Sequence, residues 1–471
     1  MVRSRTMRIA LEHHISTLVE YNEDELVWLG EFLSIRSPKF RKNYKTGRME
    51  RVGIDKISFL NRHAQFPTGF IPDVLKRSKE KGYAVSFVDN RATQPVPPDD
   101  SADISFLRYY QSDAVQKVIE RKRGVIRHPT GAGKTIVAAG LTIKIPCNWV
   151  FIVQSKDLLH QTASKYQKFV GKEAGIIGDG LARDMGPGAN LLVATAQTLN
   201  AKRGDPLIWK YIREAEGIII DECHQVPAKT ILQVLMGATQ ACYRVGLSAT
   251  PLARSDEKSM LTIGALGRVI HHVTPKELIE KGYLSAPSIT MYKCRQTCNR
   301  PTFHGRYNEV VVRSAKRNIL VTKLMKLASP PNFTFVRKID HGRDLTKRAR
   351  KAGLNTEFIW GNKSQKQREA ALERLVRGDI DYIVCSDVFV LGIDVPELRS
   401  VVNAAAGKST IQALQRIGRG SRVTEDKKTF EVYDIFDIGV DNLHNHAQAR
   451  RREYKREGYE VREVEEGALL G

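Results

Sequence analysis

The run HPTGAGKT, from His128 to Thr135, stands between the apolar segment GVIR and the helix-forming segment TIVAAGLTI. A glycine-rich turn in this context constrains its surroundings: a strand must deliver the chain, a helix must carry it away, and a sheet must hold the strand. Gly131 and Gly133 let the backbone curl so that its N–H groups, with Thr130 and Ala132 in the same cradle, face phosphate. The positive end of the following helix adds to the attraction. Lys134 can then reach the β- and γ-phosphates of ATP, and the Thr135 hydroxyl can ligate Mg²⁺. The general pattern GxxxxGK[ST] has glycine where this chain has His128.

The second half of such a site is legible in EGIIIDECH. Asp221 and Glu222 follow an apolar strand at its carboxyl end, where ligands bind in open α/β sheets. Asp221 is expected to hold Mg²⁺, usually through water, and Glu222 to orient and deprotonate the attacking water for in-line hydrolysis. The adjoining Cys223 and His224 invite a thiol-nucleophile reading. Their place after this strand favours instead a His224 that couples nucleotide state to neighbouring loops.

Short apolar runs alternate with amphipathic stretches from about residue 106 to 280: VIRH at 125, WVFIV at 149, AGIIG at 174, LLVAT at 191, GIIID at 217 and YRVGLSA at 243. That rhythm predicts a parallel sheet with helices on both faces. It restarts with FTFV at 333, TEFIW at 356, YIVCS at 382, SVVNAA at 400 and FEVYDI at 430. The fold class expected is therefore α/β, with lobes at residues 96–288 and 289–450. Residues 1–95 lack the rhythm and lead into the proline-rich TQPVPPDDS, so they are expected to form a separate small α+β accessory domain. Within it IRSPKFRKNYKTGRMERV packs seven Arg or Lys residues around Phe40 and Tyr44. Phosphate contact with aromatic stacking and a solvated basic loop both explain that mixture. The segment LSAPSITMYKCRQTCNRPTFHGRYNEV reads as a crossover with an irregular insertion, and residues 451–471 as a basic tail.

A formal net charge of +23 implies a polyanionic partner without naming an activity. No apolar run approaches the roughly 18 residues of a membrane span, and the opening MVRSRTMRIALEHH meets charges before a signal core could form. A cytoplasmic location, in a bacterium or a phage-infected host, is expected, with the six cysteines reduced. Cys294, Cys298 and His304 lack a fourth ligand at zinc-like spacing, so no metal is expected there.

Taken together, these motifs resemble superfamily 2 helicases across roughly residues 106 to 440. The resemblance implies two tandem RecA-like lobes with ATP in the cleft between them. Phe106 to Gln111, FLRYYQ, is similar to the Q-type motif, implying that Gln111 reads the adenine edge. Ser248-Ala249-Thr250 is similar to the SAT motif, implying that Ser248 and Thr250 couple hydrolysis to strand movement. VLGIDVP, residues 390–396, is similar to motif V, implying that Gly392 and Asp394 approach ribose and phosphates. QRIGRGSR, from Gln415 to Arg422, is similar to motif VI, implying a nucleotide-site Gln415 and arginine fingers at Arg419 and Arg422 that stabilise charge on the γ-phosphate. The strand track is implied to include Ser155, Thr195, Gln197, Arg337 and Ser386, although singly each also reads as a turn or cap residue.

The DECH tetrad and the basic closing segment look most like the phage UvsW-type recombination helicases and the XPB-like group. This implies a monomeric DNA motor that unwinds or branch-migrates forked, branched or single-stranded substrates in replication, recombination or repair. An RNA-directed helicase, a duplex translocase subunit and a non-catalytic annealing module remain open, because motor lobes mostly grip phosphates. For strand separation, RPTFHGRYNEVVVR at 300–313 offers a wedge or DNA-gripping loop through Phe303 and Tyr307, or else an inserted strand pair packed on the second lobe.

Overall fold

The computed structural model describes residues 6–42, 49–184, 186, 188–251, 259–361, 363–386, 395, 397–407, 429–465 and 467–470. The chain divides into two compact units, one of residues 1–128 and 133–272, the other of residues 129–132 and 273–471. The division falls at 272/273, ahead of the 288/289 read from the sequence.

The first unit opens with β1 (Thr6–Leu11), β2 (Ile15–Glu20), the hairpin β3 (Ser34–Lys42) and β4 (Met49–Ser58), then β5 (Gln65–Pro67) and β6 (Ala84–Asp89). Strands β5-β2-β1-β6 form a mixed four-stranded sheet. This region is α+β, as expected, but it is not a separate body. Its core of Met7, Ile9, Leu29, Phe66 and Phe70 takes in Ile263 from the following domain, and the Asp73 carboxylate accepts from Arg268 Nε at 2.6 Å. The proline-rich connector is pinned too: Thr93 Oγ1 donates to the Gln240 carbonyl at 3.1 Å, and the Tyr243 hydroxyl to the Val96 carbonyl at 2.7 Å. Composition reads this stretch as a linker, but its polar groups satisfy neighbouring backbone and side chains.

An eight-stranded sheet follows, made from β7 (Arg123–Arg127), β8 (Trp149–Val153), β9 (Gly175–Gly178), β10 (Leu181–Arg183), β11 (Leu191–Thr195), β12 (Gly217–Asp221), β13 (Tyr243–Ser248) and β14 (Val269–His272). Its order is β10-β9-β11-β8-β12-β13-β7-β14, and only the β9/β10 pairing is antiparallel. Both faces are covered, which is why WVFIV is apolar throughout: Trp149, Phe151 and Val153 enter one core, Val150 and Ile152 the other.

The second unit holds β15 (Ala286–Arg295), β16 (Asn332–Val336), β17 (Thr356–Ile359), β18 (Tyr382–Ser386), β19 (Ser400–Asn403), β20 (Thr429–Ile438) and β21 (Val461–Val464). They form a parallel sheet of order β17-β18-β16-β19-β20-β15-β21. Two parallel-sheet RecA-like lobes are therefore present. Three local expectations change here. The supposed crossover SITMYKCR is β15, paired along its whole length with β20; Pro287 sits at its second residue, where a missing N–H is tolerated.

The supposed wedge is neither an exposed loop nor a strand pair but the helical segments Phe303–Tyr307 and Asn308–Val312. Tyr307 is buried in a core with Val310, Val311 and Leu443, its hydroxyl donating to the Ala405 carbonyl at 2.7 Å. The supposed tail contains the last turns of helix Asp441–Arg456 and the edge strand β21. Arg450 donates from Nε to buried Asp434 at 2.8 Å, and the Tyr454 hydroxyl donates to the same carboxylate at 2.8 Å. Buried charges persist where they are paired in this way.

Candidate functional site

Five strands of the first sheet end at one edge. Register pairs Thr195 with Val153, Asp221 with Leu247 and Ser248 with Arg127. His128, Thr195, Asp221 and Ser248 therefore share the carboxyl-terminal edge, where open α/β sheets bind ligands.

From β7 the chain enters the phosphate loop. Gly131 and Gly133 have φ of 89° and 77°, a left-handed curl that residues with a Cβ resist. Gly133 caps helix Lys134–Lys144, so Lys134 and Thr135 open its first turn. The Thr130 hydroxyl is buried without a partner among the described residues, which fits a donor awaiting a phosphate oxygen. Ala132 N–H donates to the Pro129 carbonyl at 3.2 Å, closing the turn. His128, which departs from the glycine pattern, has no positive φ. Its ring is buried edge-on to Tyr110 and His271, at centroid distances of 5.4 and 5.0 Å, and its Nε2 lies 2.9 Å from His271 Nδ1. Burial, then the neighbouring His271 and Lys134, hold it neutral by pushing its pKa far below the usual imidazole value. The His271 partner was not recognised from the sequence; its only signal was the HH pair at 271–272.

At the end of β12, Glu222 adopts φ 49°, ψ 53°, a left-handed conformation that costs a non-glycine residue about 1 kcal/mol or more. Its carboxylate accepts from Ser248 Oγ at 3.2 Å and lies 3.2 Å from His224 Nδ1; His224 Nδ1 is also 3.2 Å from Ser248 Oγ. Thr250 N–H donates to the same Ser248 oxygen at 3.2 Å. The tetrad and the Ser-Ala-Thr segment are thus one hydrogen-bonded cluster.

The two carboxyls titrate in opposite directions. Burial, then the adjacent Glu222 charge, raises Asp221 to about 6. Burial also works against the Glu222 charge, but the His224 contact, the Lys134 ammonium and the Ser248 hydrogen bond outweigh it and hold Glu222 down to about 2. An ionised Asp221 is short of positive charge, and that fits a Mg²⁺ held by its carboxylate with the Thr135 hydroxyl, both hard oxygen donors. Cys223 is fully buried, and burial followed by the two carboxylates pushes its thiol well up, which disfavours the nucleophile alternative.

Gln111 is 2% exposed. Its Oε1 accepts from Arg108 N–H at 3.0 Å, leaving its amide nitrogen beside Gly133, 2.5 Å from where a Cβ on that glycine would lie. Ser155 and Thr195 are helix caps, accepting from Leu158 and Thr198 N–H, while Gln197 is exposed and donates to the Gln154 carbonyl at 3.4 Å. In the second unit Ser386 ends β18 opposite Val336, and the exposed Arg337 follows Val336 with its guanidinium 5.9 Å from the Tyr307 ring centroid. Gly392, Asp394, Gln415, Arg419 and Arg422 lie outside the described residues. Cys294, Cys298 and His304 form no metal-binding group; none of three or more His, Cys, Asp or Glu occurs among the described residues.

Residues 105–253 match the family model of the Type III restriction enzyme res subunit, and residues 315–424 that of the helicase conserved C-terminal domain. The ATP-dependent DNA helicase uvsW of Enterobacteria phage T4 is 28% identical over 453 residues, covering 89% of this chain and 88% of that protein. Helicase 22 of the Sulfolobus islandicus filamentous virus is 25% identical over 362 residues, covering 70% of this chain. The chain spans 64% of that viral relative's length. Among solved structures, the DNA-bound Type ISP restriction-modification enzyme LlaBIII aligns with a TM-score of 0.58 at 14% identity, over 83% of this chain and 34% of that one. That likeness bears on the fold alone.

Proposed function

We propose, for a chain that belongs to superfamily 2 of the helicases, that it is an ATP-dependent DNA helicase or translocase that unwinds or branch-migrates forked and junction DNA. The observation that carries the reading is the cluster of Lys134, Asp221, Glu222, His224 and Ser248, with its two carboxyls driven apart in pKa. Divided titration of this kind separates a metal-holding carboxylate from a permanently ionised base. The DNA assignment draws on the T4 relative, named as an ATP-dependent DNA helicase, and on the net charge of +23.

In this mechanism the phosphate loop and Lys134 bind the triphosphate, and the Asp221 carboxylate and Thr135 hydroxyl would hold Mg²⁺, which would neutralise phosphate charge. Glu222, kept ionised by His224 and Ser248, orients water and takes its proton. Because Ser248, which donates to Glu222, also accepts from the Thr250 N–H, a change at the γ-phosphate reaches the segment after β13 through two hydrogen bonds. Gln415, Arg419 and Arg422 complete the site in this proposal, with Gly392 and Asp394 beside the ribose. Ser155, Thr195, Gln197, Arg337 and Ser386 line the strand track.

Strand displacement on a forked DNA, with wild type and Glu222→Gln, tests the reading. The wild type releases the strand only with ATP and Mg²⁺, whereas the variant binds ATP and releases none. ATP-driven release by Glu222→Gln at the wild-type rate would remove Glu222 from the chemistry. DNA-stimulated hydrolysis without displacement would leave a duplex translocase.

A further inference from the structure

Helix Ile339–Lys351 buries His341, Gly342, Leu345, Thr346 and Ala349. Its opposite side exposes Arg343, Lys347, Arg350 and Lys351, spaced i, i+4, i+7 and i+8 and so aligned in one stripe. Four cations occupy about 12 Å of helix axis, a length over which duplex DNA presents about seven phosphate charges. Of the carboxylates nearby, Glu357 pairs with Arg374 at 2.6 Å and Asp344 with Arg348 at 2.7 Å, while the exposed Asp340 stands in the first turn of the helix, ahead of the stripe. Two adjoining grooves of about 660 and 630 Å³ run beneath the stripe and share Arg350 and Glu357.

The location separates this stripe from Arg337 and Ser386. Those two sit at the carboxyl ends of β16 and β18, whereas Arg350 Nε donates at 2.8 Å to the carbonyl of Thr356, the first residue of edge strand β17. The stripe therefore descends the free side of the sheet toward its other edge. The aromatic pair at its upper end is occupied, with Phe358 stacked on Trp360 at 4.9 Å and the cations of Lys363 and Arg343 at 4.7 and 5.7 Å from the Trp360 centroid. Cations without an open ring suit a stacked duplex backbone better than splayed single-stranded bases.

We propose that this stripe docks the phosphate backbone of a duplex DNA arm, a contact separate from the strand track. The inference rests on the DNA-motor reading above. Its test is binding of the full-length chain, wild type and Lys347→Ala/Lys351→Ala, to a forked DNA and to matched single strands over a salt series. Each phosphate contact contributes a factor of about 5 at about 0.15 M salt, so losing two weakens fork binding on the order of 30-fold and lowers the salt slope by about two. Single-strand binding stays at the wild-type level, and Lys347→Gln/Lys351→Gln repeats the loss with a side chain closer in length to lysine.

Unchanged fork affinity and salt slope in a variant whose melting temperature matches wild type overturns the proposal. Equal loss on single strands also overturns it, transferring the stripe to the strand track. Wild-type protein whose ATP hydrolysis no DNA stimulates fails the motor reading itself, whereas stimulated wild type with an unaffected variant fails only this surface.

Discussion

Substituting Asp221→Asn keeps the side-chain shape and removes its charge. The Glu222 N–H that donates to Asp221 Oδ1 at 3.0 Å keeps its acceptor. Burial and the neighbouring Glu222 raise the Asp221 carboxyl from its usual 3.8 to about 6. At about 1.4 kcal/mol for each pH unit, ionised Asp221 costs the nucleotide-free fold at most about 3 kcal/mol. Because the folded value lies above the unfolded one, the carboxyl favours the fold below pH 3.8, and that contribution is lost as pH rises through about 6. Asp221→Asn is therefore neutral near pH 4 and stabilising by up to about 3 kcal/mol at pH 7.5, while ATP turnover is lost. Urea unfolding without Mg²⁺ or nucleotide reads this by tryptophan fluorescence, since Trp28, Trp149 and Trp209 all lie in the first unit. A variant no more stable than wild type at pH 7.5, or a gain equally large at pH 4, refutes the reasoning.

Gly133→Ala would place a Cβ 2.5 Å from Gln111 Nε2 at a φ of +77°, so ATP affinity by calorimetry falls about tenfold, given a left-handed cost of about 1–2 kcal/mol. Tyr307→Ala empties a buried site and loses the Ala405 hydrogen bond; stability falls by about 3–5 kcal/mol, while the fraction that stays folded unwinds forks at the wild-type rate. Unwinding lost with melting unchanged would restore a strand-splitting role. Deleting residues 1–95 uncovers Ile263 and breaks the Asp73–Arg268 pair, so the first unit melts at lower urea; an unchanged midpoint would show that the region is an independent appendage.

The parallel strands of both lobes were readable because each is buried on two faces and so appears as an uninterrupted apolar run. WVFIV, LLVAT, GIIID and YIVCS coincide with β8, β11, β12 and β18. β15 escaped notice because Pro287 within it, the exposed Ser288 and the half-buried Thr290 break its apolar run. β21 was hidden in a stretch whose charges, among them Glu463 and Arg451, pair with one another at 2.7 Å rather than marking a free tail. The site's parts were legible from spacing, but their connection was not. Nothing in the sequence shows that Ser248 donates to Glu222 across 26 residues, or that His128 replaces glycine by packing on a histidine 143 residues away. The N-terminal region misled through composition, since proline-rich polar segments serve equally as linkers and as straps hydrogen-bonded to a sheet.

The central claim is a nucleic-acid-driven ATPase whose triphosphate is held by Lys134. ATP hydrolysis by wild type and Lys134→Ala should be measured with no nucleic acid, single-stranded, duplex and forked DNA, and matched RNAs at one salt concentration. Strong stimulation by forked DNA, abolished in Lys134→Ala, is the predicted result. Turnover that no nucleic acid raises, or that survives Lys134→Ala, contradicts it.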